Sequence, residues 1–339
     1  MTHKNNRLSE LDALRGIAAL CVVLFHFTTK YREFFGYHYP SQYDFNFGHY
    51  GVELFFVISG FVIFMTLKKV KSLGDFAFKR FSRLYPSYWI CLIITFSAIA
   101  LFGLPGNGVT FKQLLINFTM FQGLVNVKNV DGAYWSLLPE LLFYFLMGFL
   151  FQFKLLNRIN VIGFIWLVMI IINNFYRLAF INTLLNLRFG MFFLSGILFY
   201  KLKFMGARSI ADHLLIVMCG VTAVIVDFSI EYAIVVSIIF GIFYLFSYGK
   251  LFFISSIKPL LFLGYISYPL YLIHQNIGYI IISKLNYFHL NEFFRIFIAI
   301  LIVIVIAWLI TLYLEKPILN FLRKRGSSKR LESKGLLLS

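Results

Sequence analysis

Ten runs of roughly twenty apolar residues run through this chain, and no other feature constrains its fold as much. A helix rising 1.5 Å per residue needs about 20 apolar residues to cross the ~30 Å hydrocarbon core of a bilayer. The runs lie near 11–29, 51–68, 87–104, 134–153, 159–176, 186–203, 210–227, 231–248, 260–283 and 293–316. Of the 339 residues 60% are hydrophobic and 13% charged, and the mean hydropathy is +0.82. That charged share is about half of what a soluble domain carries. The sequence therefore predicts an all-α, polytopic membrane protein with about ten transmembrane helices.

The formal net charge of +17 raises the question of nucleic acid. The placement of the basic residues answers it. With a cytoplasmic N-terminus, twenty-two of the 31 Lys and Arg fall in cytoplasmic segments, six in outside loops and three within helices. Such a bias orients membrane helices. It predicts both termini in the cytoplasm and explains the charge with no nucleic-acid partner. The longest outside loops, near 30–50 and 105–133, are rich in Tyr, Phe, Gly and Asn and suited to cover or line an external site. The expected domains are a membrane domain over 1–317 and a short basic cytoplasmic tail over 318–339.

Cys21, Cys91 and Cys219 all lie in apolar runs. An odd set without disulfide framework or metal-ligand spacing reads as packing residues. Lys4 and Arg7 ahead of the first run imitate a signal peptide. The run nevertheless carries Asp12, Arg15 and His26, and no small-residue cleavage site follows it, so a retained helix is expected.

An ionisable side chain inside a membrane is costly and marks function by default. In LDALRGIAALCVVLFHF, Arg15 and His26 are eleven residues apart. At ~100° per residue that is three turns plus ~20°, so the two share a face ~16 Å apart along the axis. Asp12, Ala19 and Val22 fall on the same stripe. A slender ligand running from a charge near the cytoplasm to an imidazole farther out fits it. An Asp12–Arg15 pair with a packed His26 fits it too.

Ser136, Glu140 and Tyr144 recur at i, i+4 and i+8 in YWSLLPELLFYF, with Glu140 expected about level with His26. Ser267, Tyr271 and His274 form a stripe in YISYPLYLIHQ, where Pro269 is expected to kink the helix. Glu53 lies near the outer boundary of the second run and Arg188 near the outer end of the sixth. Five helices thus bring polar groups to the outer half of the bundle, which predicts a polar cavity; His274 and Glu53 also read as hydrogen-bonded helix locks. On the inner side, KSLGDFAFKRFSRLYP presents Lys79, Arg80 and Arg83 ahead of the third run. Guanidinium forks match phosphate oxygens, and the same residues serve as a topology signal against anionic lipid.

Together these stretches resemble acyltransferase family 3, integral-membrane enzymes that acylate bacterial surface glycans. The matching segments are LDALRGIAAL…FHF with Arg15 and His26, GVELFFVISGF, the Arg80-x-x-Arg83 element, WSLLPELLFY, RFGMFFLSGILF, SYPLYLIH and the closing Glu315-Lys316-Pro317. They occur in family order from residue 8 to about 317. The chain departs from the family pattern where Leu141 follows Glu140 in place of a second acidic residue, and where Pro139 precedes it in place of an aliphatic one.

The resemblance implies an acyl-CoA donor, usually acetyl-CoA, from the cytoplasm, and an acceptor hydroxyl outside on a glycan or lipid-linked sugar. No bound cofactor and no metal is expected. The implied catalytic set is His26, Glu140, Glu53 and His274, with His26 as general base or acyl-carrying nucleophile and Glu140 or Glu53 orienting its ring. Arg15, Lys79, Arg80 and Arg83 would bind the acyl-CoA, its pantetheine arm lying on the stripe between Arg15 and His26. Arg188, His274, Tyr144 or Tyr271 would stabilise the oxyanion or meet the acceptor. The implied location is the bacterial cytoplasmic (inner) membrane, with lipid and a second copy of the chain as further partners. A transporter or flippase of a surface-polysaccharide intermediate is the rival from another class, and the lack of an inverted repeat or paired broken helices argues against it. A non-catalytic scaffold would leave the buried charges idle. The acceptor's identity, and acetyl against succinyl as the group moved, stay open.

Overall fold

Hydrocarbon offers a backbone no hydrogen-bond partner outside its own segment, and a helix satisfies every interior N–H and C=O. The protein, seen in a computed structural model that describes residues 8–36, 44–206, 209–322 and 324, follows that rule: helix is the only regular structure among the described residues. Ten principal helices appear in chain order. They are α1 (Ser9–Phe25), α2 (Gly51–Leu67), α3 (Leu73–Phe102), α4 (Leu137–Gln152) and α5 (Ile159–Tyr176). The rest are α6 (Gly190–Phe204), α7 (Ile210–Val226), α8 (Ile230–Ser247), α9 (Lys258–Leu285) and α10 (Glu292–Ile310). Lys4, Arg7, Arg208, Arg323 and the expected tail from 325 onward lie outside the described residues.

Each expected run coincides with a helix, yet among the described residues seven helices rather than ten are long and apolar enough to cross a membrane. These are the stretches containing α1, α2, α3, α4, α5, α8 and α10. At 15 and 17 residues, α6 and α7 fall short in length. α9 has 28 residues, but Ser267, His274, Gln275 and Asn276 dilute its hydropathy. All four are buried, which is why they survive there.

Three boundaries differ from expectation for readable reasons. α3 starts at Leu73, well before 87, because the Ser72 hydroxyl accepts the Asp75 N–H and caps the first turn. It then runs through Pro86, as α9 runs through Pro269. α10 passes through a π-helical turn, Thr311–Glu315, and the helix continues to Leu322. Arg188 is not in a helix: it sits in the turn before α6, exposed, with its guanidinium 5.4 Å from the Phe189 ring centre. Gly190, pressed onto the Trp166 indole, is where the helix can begin.

The chain divides into two compact units. Unit 1 joins residues 1–76 to 135–265, and unit 2 joins 77–134 to 266–339. In unit 1, glycines set the helix spacing. A Cβ on Gly60 would collide with the Phe193 carbonyl, and one on Gly196 with the Val57 carbonyl, so α2 and α6 meet backbone to backbone. Small residues at such seams replace the hydrophobic drive that lipid removes. Phe193, fully buried, stacks on Phe143 at 4.2 Å beside this contact. Gly60→Ala or Gly196→Ala is expected to lower stability by about 1–3 kcal/mol. Thermal unfolding in detergent measures it, and an unchanged midpoint would mean that the seam yields without cost.

The helix ends within unit 1 meet in two sets. Lys201 on α6 reaches Asp212 on α7 at 2.5 Å and Asn160 on α5 at 2.7 Å, while Lys203 donates to the Phe246 carbonyl at the end of α8. At the opposite ends Tyr50 and Tyr232 pack with ring centres 5.3 Å apart, and Asn174 at the end of α5 donates to the Ile225 carbonyl of α7. In unit 2 the start of α3 and the π-turn after α10 meet through Arg83 and Glu315.

Candidate functional site

The His26 side chain in unit 1 is placed by its own backbone. Its Nδ1 lies 2.8 Å from the Val22 carbonyl four residues back, and Thr28 does likewise, donating to the Leu24 carbonyl at 2.7 Å. Side chains that take i−4 carbonyls compete with the helical N–H groups and loosen the ladder. The turn opens here: His26–Lys30 is a π-helix, a widened turn frequent at functional sites. A carbonyl partner demands the Nδ1–H tautomer, so Nε2 carries the lone pair. The ring packs edge-on against Phe25 and remains partly exposed. It is a backbone carbonyl, rather than Glu140 or Glu53, that fixes its orientation.

α1 is α-helical up to His26, so the three-turn alignment with Arg15 stands. The stripe between them is closed. Ala19 and Val22 are each 1% exposed, and Gly51 lets the top of α2 settle onto Ala18 and Val22. What the sequence presents as a groove for a slender ligand is an interhelical seam. Arg15 pairs with Asp12 at 3.3 Å on the same helix.

Glu140 on α4 accepts the Ser59 hydroxyl of α2 at 3.0 Å and the Tyr144 hydroxyl at 2.5 Å. Ser59 lies eight residues past Gly51, while His26 lies four past Val22 in the opposite direction. Twelve residues at 1.5 Å each make about 18 Å along the helices, so Glu140, bonded to Ser59, lies deeper than His26 and the two are not level. Tyr144 has one proton and gives it to Glu140. Ser136 is buried at the start of α4. Near the top of α2, Glu53 is 8% exposed, and its Oε2 is buried with no hydrogen-bond partner. The charges acting on it are those of Arg188 and Asp227. Unit 1 thus holds a ring oriented by a backbone carbonyl, an acidic side chain bridging α2 and α4, and a second acidic side chain within the field of Arg188.

Unit 2 holds the other candidates. Lys79, Arg80 and Arg83 lie on the first turns of α3, Lys79 exposed and the two arginines partly so. Arg83 donates to Glu315 at 2.8 Å, and its guanidinium lies 5.5 Å from the centre of the Tyr268 ring. Glu315 is 2% exposed. Tyr268 in turn donates to the Leu84 carbonyl at 2.9 Å, so this end of α3 is fixed at three points. Ser267, Tyr271 and His274 share a buried face of α9. Tyr271 gives its proton to the Ala133 carbonyl at 3.0 Å, and His274 Nδ1 lies 2.8 Å from the Tyr271 carbonyl.

Sequence reasoning missed Asp131, which is fully buried. Its Oδ1 accepts the Ala133 N–H and its Oδ2 the Asn276 N–H, both at 3.0 Å. Burial pushes its carboxyl up to about 7, against the pull of those two bonds. The only local signal is Asp131-Gly132 ahead of an apolar run. Glu315 was legible only as part of a motif, and Ser59 not at all.

An all-helical chain with this many membrane-length helices and ionisable groups held inside them is a multi-pass membrane protein. Compared with known families, residues 8–312 match the model of an acyltransferase domain. The chain belongs to that family, acyltransferase family 3, and is a membrane acyltransferase by membership. No curated protein and no solved structure matches it.

Proposed function

We propose that the protein transfers an acyl group, most often acetyl, from cytoplasmic acyl-CoA to a hydroxyl of an extracytoplasmic glycan or lipid-linked sugar, in the inner membrane of a bacterium. The observation that carries this reading is the His26 imidazole, held by the Val22 carbonyl in the tautomer whose Nε2 is basic. The lone pair of a neutral imidazole is the usual acceptor of a proton in general-base catalysis. Nε2 removes the acceptor hydroxyl proton, the oxygen attacks the thioester carbonyl, and the carbon–sulfur bond breaks as the CoA thiolate leaves and takes up the proton. In a two-step route Nε2 carries the acyl group instead; the reacting nitrogen is the same.

In this reading Arg80 and Lys79 hold the donor's phosphates, Arg83 does so while tied to Glu315, and Arg15 adds positive charge. Glu140 and Glu53 are the acidic side chains of the site, and His274 takes part on the side of α9. Arg188 meets the developing oxyanion or the acceptor. Tyr144 and Tyr271, whose protons go to Glu140 and Ala133, act as holders of their neighbours.

The ten-span topology with cytoplasmic ends belongs to the same proposal. The two sets of helix-end contacts support it, because Asn160, Lys201, Asp212, Lys203 and Phe246 all fall on one side in that topology, and Tyr50, Tyr232, Asn174 and Ile225 on the other. The pairing of Arg83 with Glu315 is consistent with it as well. The test is radiolabelled acetyl-CoA added to inside-out vesicles containing the protein. Label is expected in glycan; glycan movement without any need for CoA would sink the reading and favour transport.

A further inference from the structure

The segment from Lys128 to Ala133 is held from two sides within unit 2. On one side Asn117 donates to the Lys128 carbonyl at 3.0 Å and accepts the Val130 N–H at 3.1 Å. On the other, four contacts tie it to residues 271–276 of α9. Asn276 donates its backbone N–H to Asp131 and its side-chain amide to the Val130 carbonyl at 2.8 Å. Tyr271 donates to the Ala133 carbonyl, and Gly132 sits so close to Gln275 that a Cβ would overlap the amide. Asp131 orients Ala133, and the Ala133 carbonyl receives the Tyr271 hydroxyl; from there the relay to His274 runs through the α9 backbone, where the Tyr271 carbonyl three residues back, bracketed by the contacts at Tyr271 and at Gln275 and Asn276, lies 2.8 Å from His274 Nδ1.

A carboxylate is the side chain that suits the start of this relay. It must accept two N–H groups arriving at different oxygens, and an amide presents only one acceptor oxygen. Placing it here is costly, since a fully buried carboxyl leaves water with no cation beside it. The titratable groups acting with it are Cys91 and Tyr88 on α3 and Tyr134 on its own turn, none of them cationic. A carboxylate kept under those conditions holds something that a neutral side chain does not.

We infer that Asp131 is a positioning residue that fixes the tautomer and ring orientation of His274 by clamping the 130–133 turn onto α9. Its bearing on catalysis rests on the reading above, in which His274 takes part in transfer. The experiment compares the wild type with Asp131→Asn and His274→Asn, labelled with 15N-histidine and placed in bilayers. The His274 signal is assigned by its loss in His274→Asn, and transfer from acetyl-CoA is measured in parallel.

In Asp131→Asn the His274 nitrogens are expected to shift toward mixed tautomers, kcat to fall about tenfold, and KM for acetyl-CoA to stay within about twofold. A His274 spectrum identical to wild type would overturn the inference, whatever the activity. A shifted spectrum with full activity in His274→Asn would leave the positioning intact and remove His274 from the functional reading. If Asp131→Asn fails to insert, Asn276→Ala, which cuts the Val130 bond of the same clamp, is read in its place by the same criteria.

Discussion

Replacing His26 with alanine is expected to lower acyl transfer by about 10²–10⁴-fold, the range that a positioned general base contributes. The protein is expected to insert and fold, because the change removes one side-chain bond to the Val22 carbonyl, worth about 1 kcal/mol. Transfer from labelled acetyl-CoA, set beside thermal unfolding, separates the two effects. Full activity in a folded His26→Ala protein would end the catalytic role. An inactive protein whose midpoint also collapses would instead mark His26 as a structural element of the turn.

Arg83→Ala is expected to cost stability before it costs substrate affinity. Glu315 is 2% exposed and pairs with Arg83 at 2.8 Å. Removing Arg83 leaves the buried Glu315 without its partner, at about 1–3 kcal/mol, less than for a pair buried on both sides because Arg83 is partly open to solvent. Glu315→Gln is expected to be much milder, because Arg83 is 39% exposed and its charge has access to solvent. The double variant, Arg83→Ala with Glu315→Gln, should then recover most of the loss. Unfolding midpoints of the four proteins complete the cycle; no coupling between the two sites would refute the pairing. KM for acyl-CoA is then compared between Glu315→Gln and the double variant, which differ only in Arg83. A rise in KM would support its contact with the donor's phosphates, and an equal KM would leave it as a structural and topological charge.

Much of the fold is legible in the sequence, because a bilayer imposes one simple requirement on every span. α2, α5, α7, α8 and α9 begin and end within about two residues of their expected limits. α3 escaped because its N-terminal extension carries the charges that otherwise mark a loop. Local periodicity placed Arg15 over His26 correctly, yet could not say what covers the stripe between them. That depended on Gly51, thirty-odd residues away in sequence, fitting against Ala18 and Val22.

The sequence by itself determined that this chain is a bundle of membrane helices, which ends of them are basic, and that it carries the ordered motifs of an acyltransferase. Hydrophobic length and residue spacing are local properties, and they can be read locally. The tertiary structure alone decided the distant partners of the buried polar groups: Glu140 with Ser59, Arg83 with Glu315, Asp131 with Asn276. A buried charge or amide must find a partner wherever packing brings one, and packing joins residues without regard to their separation along the chain.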